Sequence, residues 1–302
     1  MTTFLVVTAA LLLDALFGEP RRHHPLVGFG KIAATLERHF HTDSRLRGSM
    51  VLLLLLAPPI LLTALLSSLP WVGVLFDITL LYLAIGWNSL QLHARRVADA
   101  LAAGKHTEAR RVAGLLVSRD TADLDEEAIS RATVESVLEN GNDALFAAIF
   151  WFLLAGAPGV VGYRLANTLD AMWGYRNGRY RRFGWAAARL DDLLNLIPAR
   201  LTATAYLLAG KTRKALRCWR TQASGWSSPN AGVVMATGAG SLGIRLGGIA
   251  RYDGVVHCRP FLGTGRSPET GDIERALALV RHAVFLWLAV LSLGGTLVEN
   301  IL

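Results

Sequence analysis

Apolar residues come in blocks along this chain rather than in one repeating stripe. Residues 49–69, SMVLLLLLAPPILLTALLSSL, are apolar for the roughly 20 residues a helix needs to cross a bilayer. Residues 71–87 are nearly long enough, and 282–299 reach the length with their flanks. Residues 144–163 suffice in length but are interrupted by Gly156-Ala157-Pro158-Gly159, and 193–210 carry Pro198 and Arg200. The opening run, 3–17, contains Asp14 and lacks both a basic lead and a small-residue cleavage site. It reads as a retained half-span or a helix buried against the bundle, not as a signal peptide. The expected fold is all-α: a polytopic integral membrane bundle, one domain over 1–302, with re-entrant or broken helices and cytoplasmic helical segments.

Residues 88–143 switch to an amphipathic pattern and read as a cytoplasmic insert of three helices. Gly104 and the stretch Arg119-Asp120-Thr121-Ala122-Asp123 divide them, and Asp123 with Glu126 resembles a capping box for the third. On that third helix Glu127, Arg131, Glu135 and Glu139 recur every four residues and form one stripe. Such a stripe is ordinarily a solvated salt-bridge face. Here it leads through Asn140, Asn142 and Asp143 into apolar sequence, where acids and amides are costly and mark a site.

Composition strengthens the membrane reading. The chain is 52% hydrophobic and 18% charged, against about 25% charged for soluble domains. Its net charge of +8 is spread over polar segments with no basic reading helix and no interleaved aromatic platform, which argues against nucleic acid. Positive-inside topology accounts for it better. That rule raises a parity conflict. Residues 88–143, 166–192 and 211–280 all read as cytoplasmic, yet single spans at 144–163 and 193–210 would place 166–192 outside. Two half-helices meeting at the Gly-Ala-Pro-Gly break, entering and leaving on one side, resolve it.

The segment 167–200 holds six arginines, three aspartates and three asparagines. A topogenic loop needs cations, not carboxylates and amides among them. Adjacent Asp191 and Asp192 offer hard oxygen ligands for Mg²⁺, and arginine forks suit phosphate. GAGSLG, 238–243, formally matches a dinucleotide fingerprint, but no strand precedes it. Its glycines fit close helix packing or approach to a ligand. No Walker A motif exists, so any ATP is held by another device. Cys218 and Cys258 lie too far apart for a C-x-x-C site and fit a reducing compartment.

The stretches LDALFGEPRRHHPLVGFGK, SRDTADLDEEAISRATVESVLENGND, NTLDAMWGYRNGRYRRFGWAAARLDDLLNLIPARLTA and SPNAGVVMATGAGSLGIRLGG, in this order, resemble the CbiB/CobD family of cobalamin-biosynthesis membrane proteins. Gly141-Asn142 departs from the family, whose members commonly carry an apolar or acidic residue after the Glu-Asn pair. The resemblance implies an adenosylcobinamide-phosphate synthase at the cell inner membrane, multi-pass, with its active site facing the cytoplasm. It would join (R)-1-amino-2-propanol O-2-phosphate to the free carboxylate of adenosylcobyric acid, with ATP and Mg²⁺. On that reading Asp191 and Asp192 hold the metal–nucleotide, with Asp170 behind them. Asn167, Arg176, Asn177, Arg179, Arg189 and Asn230 bind substrate or phosphate, joined at the mouth by Arg119 and His24. Glu135, Glu139, Asp143 and Asp192 carry catalysis, by a second metal or by deprotonating the amine. Partners would be the lipid bilayer, other membrane-bound nucleotide-loop assembly enzymes, and further copies of the chain. A corrinoid transporter, or a non-catalytic scaffold for the pathway, is the rival reading.

Overall fold

A computed structural model describes residues 2–20, 24–69, 73–175 and 177–301. The helices, in chain order, are α1 (Thr2–Phe17), α2 (Pro25–Phe40), α3 (Arg45–Ser67), α4 (Gly73–Ala84), α5 (Trp87–Ala102), α6 (His106–Ala113) and α7 (Glu126–Gly141). After a π-helical turn over Asn142–Phe146 come α8 (Ala147–Trp173), α9 (Tyr180–Phe183), α10 (Trp185–Leu194) and α11 (Leu196–Ala209). Helices α12 (Thr212–Gln222) and α13 (Ala231–Leu242) then lead into strands β1 (Arg245–Tyr252) and β2 (Val255–Gly263), and α14 (Gly271–Ile301) closes the chain.

The protein is thus an all-α polytopic one carrying a single hairpin among the described residues. Arg45–Ser67, Gly73–Ala102, Glu126–Trp173 and Gly271–Gly294 are long and apolar enough to cross a membrane. Helix α3 shows why lipid is the fitting solvent. Leu53, Leu54, Leu61, Leu62 and Leu65 all stand exposed on it. Leaving a leucine in water forgoes about 2 kcal/mol each, so so many on one helix are placed for hydrocarbon.

Contacts group the chain into two compact units. The first comprises Met1–Gly86 and Asp143–Asn195, the second Trp87–Asn142 and Leu196–Leu302. In the first, α3 and α8 pack through Val51, Leu52, Leu55 and Leu56 against Leu165, Ala166, Leu169 and Trp173, with Phe183 and Ala187 completing the core.

The interruption foreseen in 144–163 is real, and falls at Ala155 and Gly156. Gly156 adopts φ 62°, ψ −153°, a backbone region essentially closed to residues with a Cβ. Pro158 follows in the first turn of the second arm, where its missing N–H costs nothing. The two arms double back on each other. At 1.5 Å per residue a continuous helix would hold Asp143 and Tyr163 about 30 Å apart. Instead the Tyr163 hydroxyl donates to the Asp143 carbonyl at 3.0 Å, and Arg164 Nη1 donates to it at 3.2 Å. Asp143 and Arg164 therefore stand side by side at the open end of a helical hairpin.

In the second unit the buried helix α13 packs against α11, α12 and β2. Gly238 lies against Leu138 and Gly240 against Ala215, the close packing that glycines in GAGSLG allow. The insert forms three helices, α5 to α7, separated as expected at Gly104 and after Arg119. The capping box does not form. Asp125 caps α7, accepting from Ala128 N at 2.8 Å, while Asp123 reaches Arg251 at 3.2 Å. The hairpin β1–β2 was not expected within 211–280. It turns at Asp253-Gly254, both at positive φ, as the type I′ pairing of Asp with Gly demands. Helix α11 has 14 residues, about 21 Å, short of the ~30 Å hydrocarbon core.

Gly141, the departure after Glu-Asn, admits a neighbour. A Cβ there would lie 2.4 Å from the Tyr206 hydroxyl, which donates to the Leu138 carbonyl at 3.1 Å. Asn142 in turn accepts from Thr202 Oγ1 at 2.9 Å.

Candidate functional site

In the first unit a closed ring of hydrogen bonds surrounds Asp191. Helix α10 supplies Asp191, and Asn195 follows one turn later. Asn195 Nδ2 donates to Asp191 Oδ2 at 3.1 Å, and Asn167 Nδ2, from α8, donates to Oδ1 at 3.1 Å. Arg164 Nη1 reaches Asn167 Oδ1 at 3.4 Å, and the Tyr163 hydroxyl shares its proton between Asn195 Oδ1, at 3.1 Å, and the Asp143 carbonyl. The helical hairpin is what brings Asp143 back to Tyr163 and Arg164.

Neutral amides thus hold a half-buried carboxylate. Burial pushes the Asp191 carboxyl above the ordinary aspartate range, the two amide donors pull it back, and neighbouring Asp192 raises it further. Asp192, partly buried, lies 3.9 Å from the exposed Arg189. Successive residues on a helix point about 100° apart, so the two aspartates present different faces. Asn195 is one of the three asparagines that mark 167–200, but Tyr163 and Arg164 lie outside that segment. Their signal was weak: polar groups at the closing edge of an apolar run.

Other first-unit candidates have local tasks. Arg179 gives Nε and Nη2 to Glu37 Oε1, at 3.0 and 2.7 Å, and its carbonyl accepts from His41 Nε2. Asn177 Oδ1 accepts from Tyr180 N at 2.9 Å and starts α9. His24 caps α2, its Nδ1 accepting from Leu26 N at 3.2 Å. Its Nε2 must then carry the proton, and it is buried without a partner among the described residues. The Asp170 carboxylate lies over Gly174 at the end of α8. Arg176 lies outside the described residues.

The second unit holds a carboxylate of the opposite kind. Glu135, on α7, is 2% exposed and accepts from Arg119 Nη2, from Arg259 Nη1 at 3.0 Å and Nη2 at 3.3 Å, and from Gly247 N at 2.8 Å. Arg259 also stacks over Trp226, 5.2 Å from the ring centre. Arg259 and Gly247 come from the hairpin, so sequence spacing gave no hint of them. Glu127 pairs with Arg131 at 2.8 Å on the solvated side, as a stripe of period four allows. Glu139 is half-buried on the same helix. Asn230 Oδ1 accepts from Arg200 Nη1 at 2.6 Å.

No three His, Cys, Asp or Glu side chains form a metal cage among the described residues. Magnesium does not require one. It takes one or two carboxylates and completes its shell with water and phosphate oxygens, a donor set to which a single carboxylate, Asp191 or Asp192, is chemically suited.

Residues 7–280 match the family model described as CobD/Cbib protein. The chain is 60% identical over 301 residues to the cobalamin biosynthesis protein CobD of Stutzerimonas stutzeri, covering 98% of this chain and 99% of that one. It is 55% identical to the protein of the same name from Chromobacterium violaceum, covering 98% of each chain. Identity to the Mycobacterium tuberculosis CobD protein is 44%, over 91% of this chain and 90% of the relative. No solved structure matches. A family match over this span, with relatives this similar end to end, places the chain in the CobD/CbiB family.

Proposed function

We propose that this protein is a cobalamin-biosynthesis enzyme of the inner membrane, an ATP-dependent ligase making adenosylcobinamide phosphate from adenosylcobyric acid and (R)-1-amino-2-propanol O-2-phosphate. The near-complete identity of span with relatives named for cobalamin biosynthesis supports the pathway. The Asp191 ring is the observation that carries a catalytic reading.

A carboxylate does not yield an amide at neutral pH without activation. ATP transfers its γ-phosphoryl to the corrinoid carboxylate, giving an acyl phosphate and ADP. The amine, once deprotonated, attacks that carbonyl, and phosphate leaves as the amide forms. The site must therefore tolerate several anions and remove one proton. Mg²⁺ bound with ATP supplies charge neutralisation on the phosphate oxygens. Asp191, fixed in orientation by Asn167 and Asn195, or Asp192 is the carboxylate to hold it. Arg164 and Arg189 place positive charge beside these carboxylates. The ammonium proton passes to a carboxylate not committed to the metal, a role for Asp143 at the open end of the helical hairpin. Glu135, with its oxygens already accepting from two guanidiniums and a backbone amide, we assign to holding Arg119 and the hairpin in place. The open end of the helical hairpin faces the cytoplasm, where ATP is.

The test is purified protein in detergent with the corrinoid acid, aminopropanol phosphate and MgATP. ADP release requiring both substrates, with cobinamide phosphate as product, is expected. ATP-independent movement of corrinoid across vesicles without amide formation would establish the transporter instead.

A further inference from the structure

Helix α3 enters the apolar zone from a cationic cleft. The cleft, of about 400 Å³, is lined by Asp43, Arg45, Gly178, Arg181 and Arg182. Three guanidiniums therefore face one carboxylate. Arg182 lies 3.4 Å from Asp43, and both side chains are more than half exposed. Arg45 and Arg181 have no carboxylate partner among the described residues, so the cleft keeps two uncompensated positive charges.

The cleft is also shaped for an oxyanion. The Arg45 guanidinium lies over the Trp185 ring, 5.1 Å from its centre, which fixes the plane of its fork and leaves the N–H edge free. Ser44 caps α3 by accepting from Arg47 N at 3.4 Å, so the positive end of a 23-residue helix opens beside the same arginines. None of these groups belongs to the Asp191 ring or touches Glu135.

Depth along the helix decides what ligand fits. Arg45 is the first residue of the most apolar span, and Leu46, Met50, Leu53 and Leu54 stand exposed immediately beyond it. An anion seated on Arg45, Arg181 and Arg182 would have hydrocarbon within one or two helical turns. A soluble phosphate gains nothing from that neighbour, whereas a phospholipid fills both. We propose that this cleft binds the phosphate headgroup of an anionic phospholipid, with its acyl chains along the exposed leucine face of α3.

The experiment uses the full-length protein in nanodiscs of phosphatidylcholine alone or with about a quarter of the lipid replaced by anionic phosphatidylglycerol. Thermal unfolding would be followed for wild type and for Arg45→Gln/Arg181→Gln. Phosphatidylglycerol should raise the unfolding temperature of wild type by several degrees, and the double variant should lose at least half of that rise. Loss of the Arg45–Trp185 stacking would lower both lipid conditions together, so the lipid-dependent difference is the readout. Arg182→Gln, whose side chain is exposed, should give a smaller loss without a folding defect. An equal rise in wild type and variants, or no rise in wild type, would overturn the proposal. Reproduction of the rise by millimolar inorganic phosphate in phosphatidylcholine discs would assign the cleft to a soluble phosphate and overturn the lipid.

Discussion

Asp191 and Glu135 are two sequestered carboxylates with opposite surroundings. Glu135 faces two guanidiniums and a backbone amide, and every part of it is spoken for. Asp191 faces two side-chain amides, which orient it without cancelling its charge. A carboxylate neutralised by arginines holds structure together. One held only by amides keeps its charge available to a ligand. The acids in this chain are therefore distinguished by their donors, not by their depth.

The strongest way to break that contrast is at Glu135. Replacing it by alanine strands two poorly exposed arginines, and losing one partner of a buried pair costs about 3–5 kcal/mol. Glu135→Ala should unfold at clearly lower denaturant, with the hairpin amides, Gly247 above all, losing hydrogen-exchange protection first. A variant of wild-type stability would show that the arginines do not depend on this carboxylate.

Asp191→Asn should behave in the reverse way. The shape and both amide neighbours remain, so stability should stay within about 1 kcal/mol of wild type. Ligation should fall by a factor of roughly 100 or more, the scale of a lost charge contact in a catalytic site. The pH dependence follows from the raised proton affinity. The folded protein holds the proton of Asp191 to higher pH than the unfolded chain does. This residue's contribution to stability is thus fullest below the ordinary aspartate range and is lost as pH rises from that range through the raised folded value. Thermal scans across acid pH should show that slope in wild type and a flatter one in Asp191→Asn. Identical slopes would mean that Asp191 titrates normally.

A smaller effect belongs to Tyr163→Phe. Its hydroxyl joins Asn195 to the Asp143 carbonyl, and losing it should cost about 1–2 kcal/mol. A several-fold drop in turnover should accompany that, if the orientation of Asn195 matters to Asp191. Smallest of all is Glu127→Gln. Its exposed pair with Arg131 should be worth at most ~0.5 kcal/mol and nothing in turnover. A large loss there would put the solvated side of α7 into the site.

Much of the architecture was legible because it rests on local chemistry. Long apolar runs gave the spans, and Gly156 with Pro158 gave the break, since both residues limit the backbone wherever they occur. The three insert helices followed from amphipathic spacing and Gly104. The cap of α7 was misplaced by two residues because Asp123 and Asp125 are both competent caps, and only the hairpin's Arg251 draws Asp123 away. The hairpin itself was missed although Asp253-Gly254 announces a tight turn, because the flanking strands lack a clean alternation.

By itself the sequence determined the solvent, the order of elements and the segment where charge collects, since hydropathy, turn chemistry and composition act over short distances along the chain. It also settled the family, through motifs preserved in order over most of the length. Only the tertiary structure decided which carboxylate meets which donor. Arg259 is 124 residues from Glu135 and Asn167 is 24 residues from Asp191, separations at which no periodicity connects the partners. The electrostatic character of a carboxylate depends on what lies within a few ångströms of it. In this protein those neighbours are fixed by a doubled-back helix and a β-hairpin, which bring together residues that the chain keeps apart.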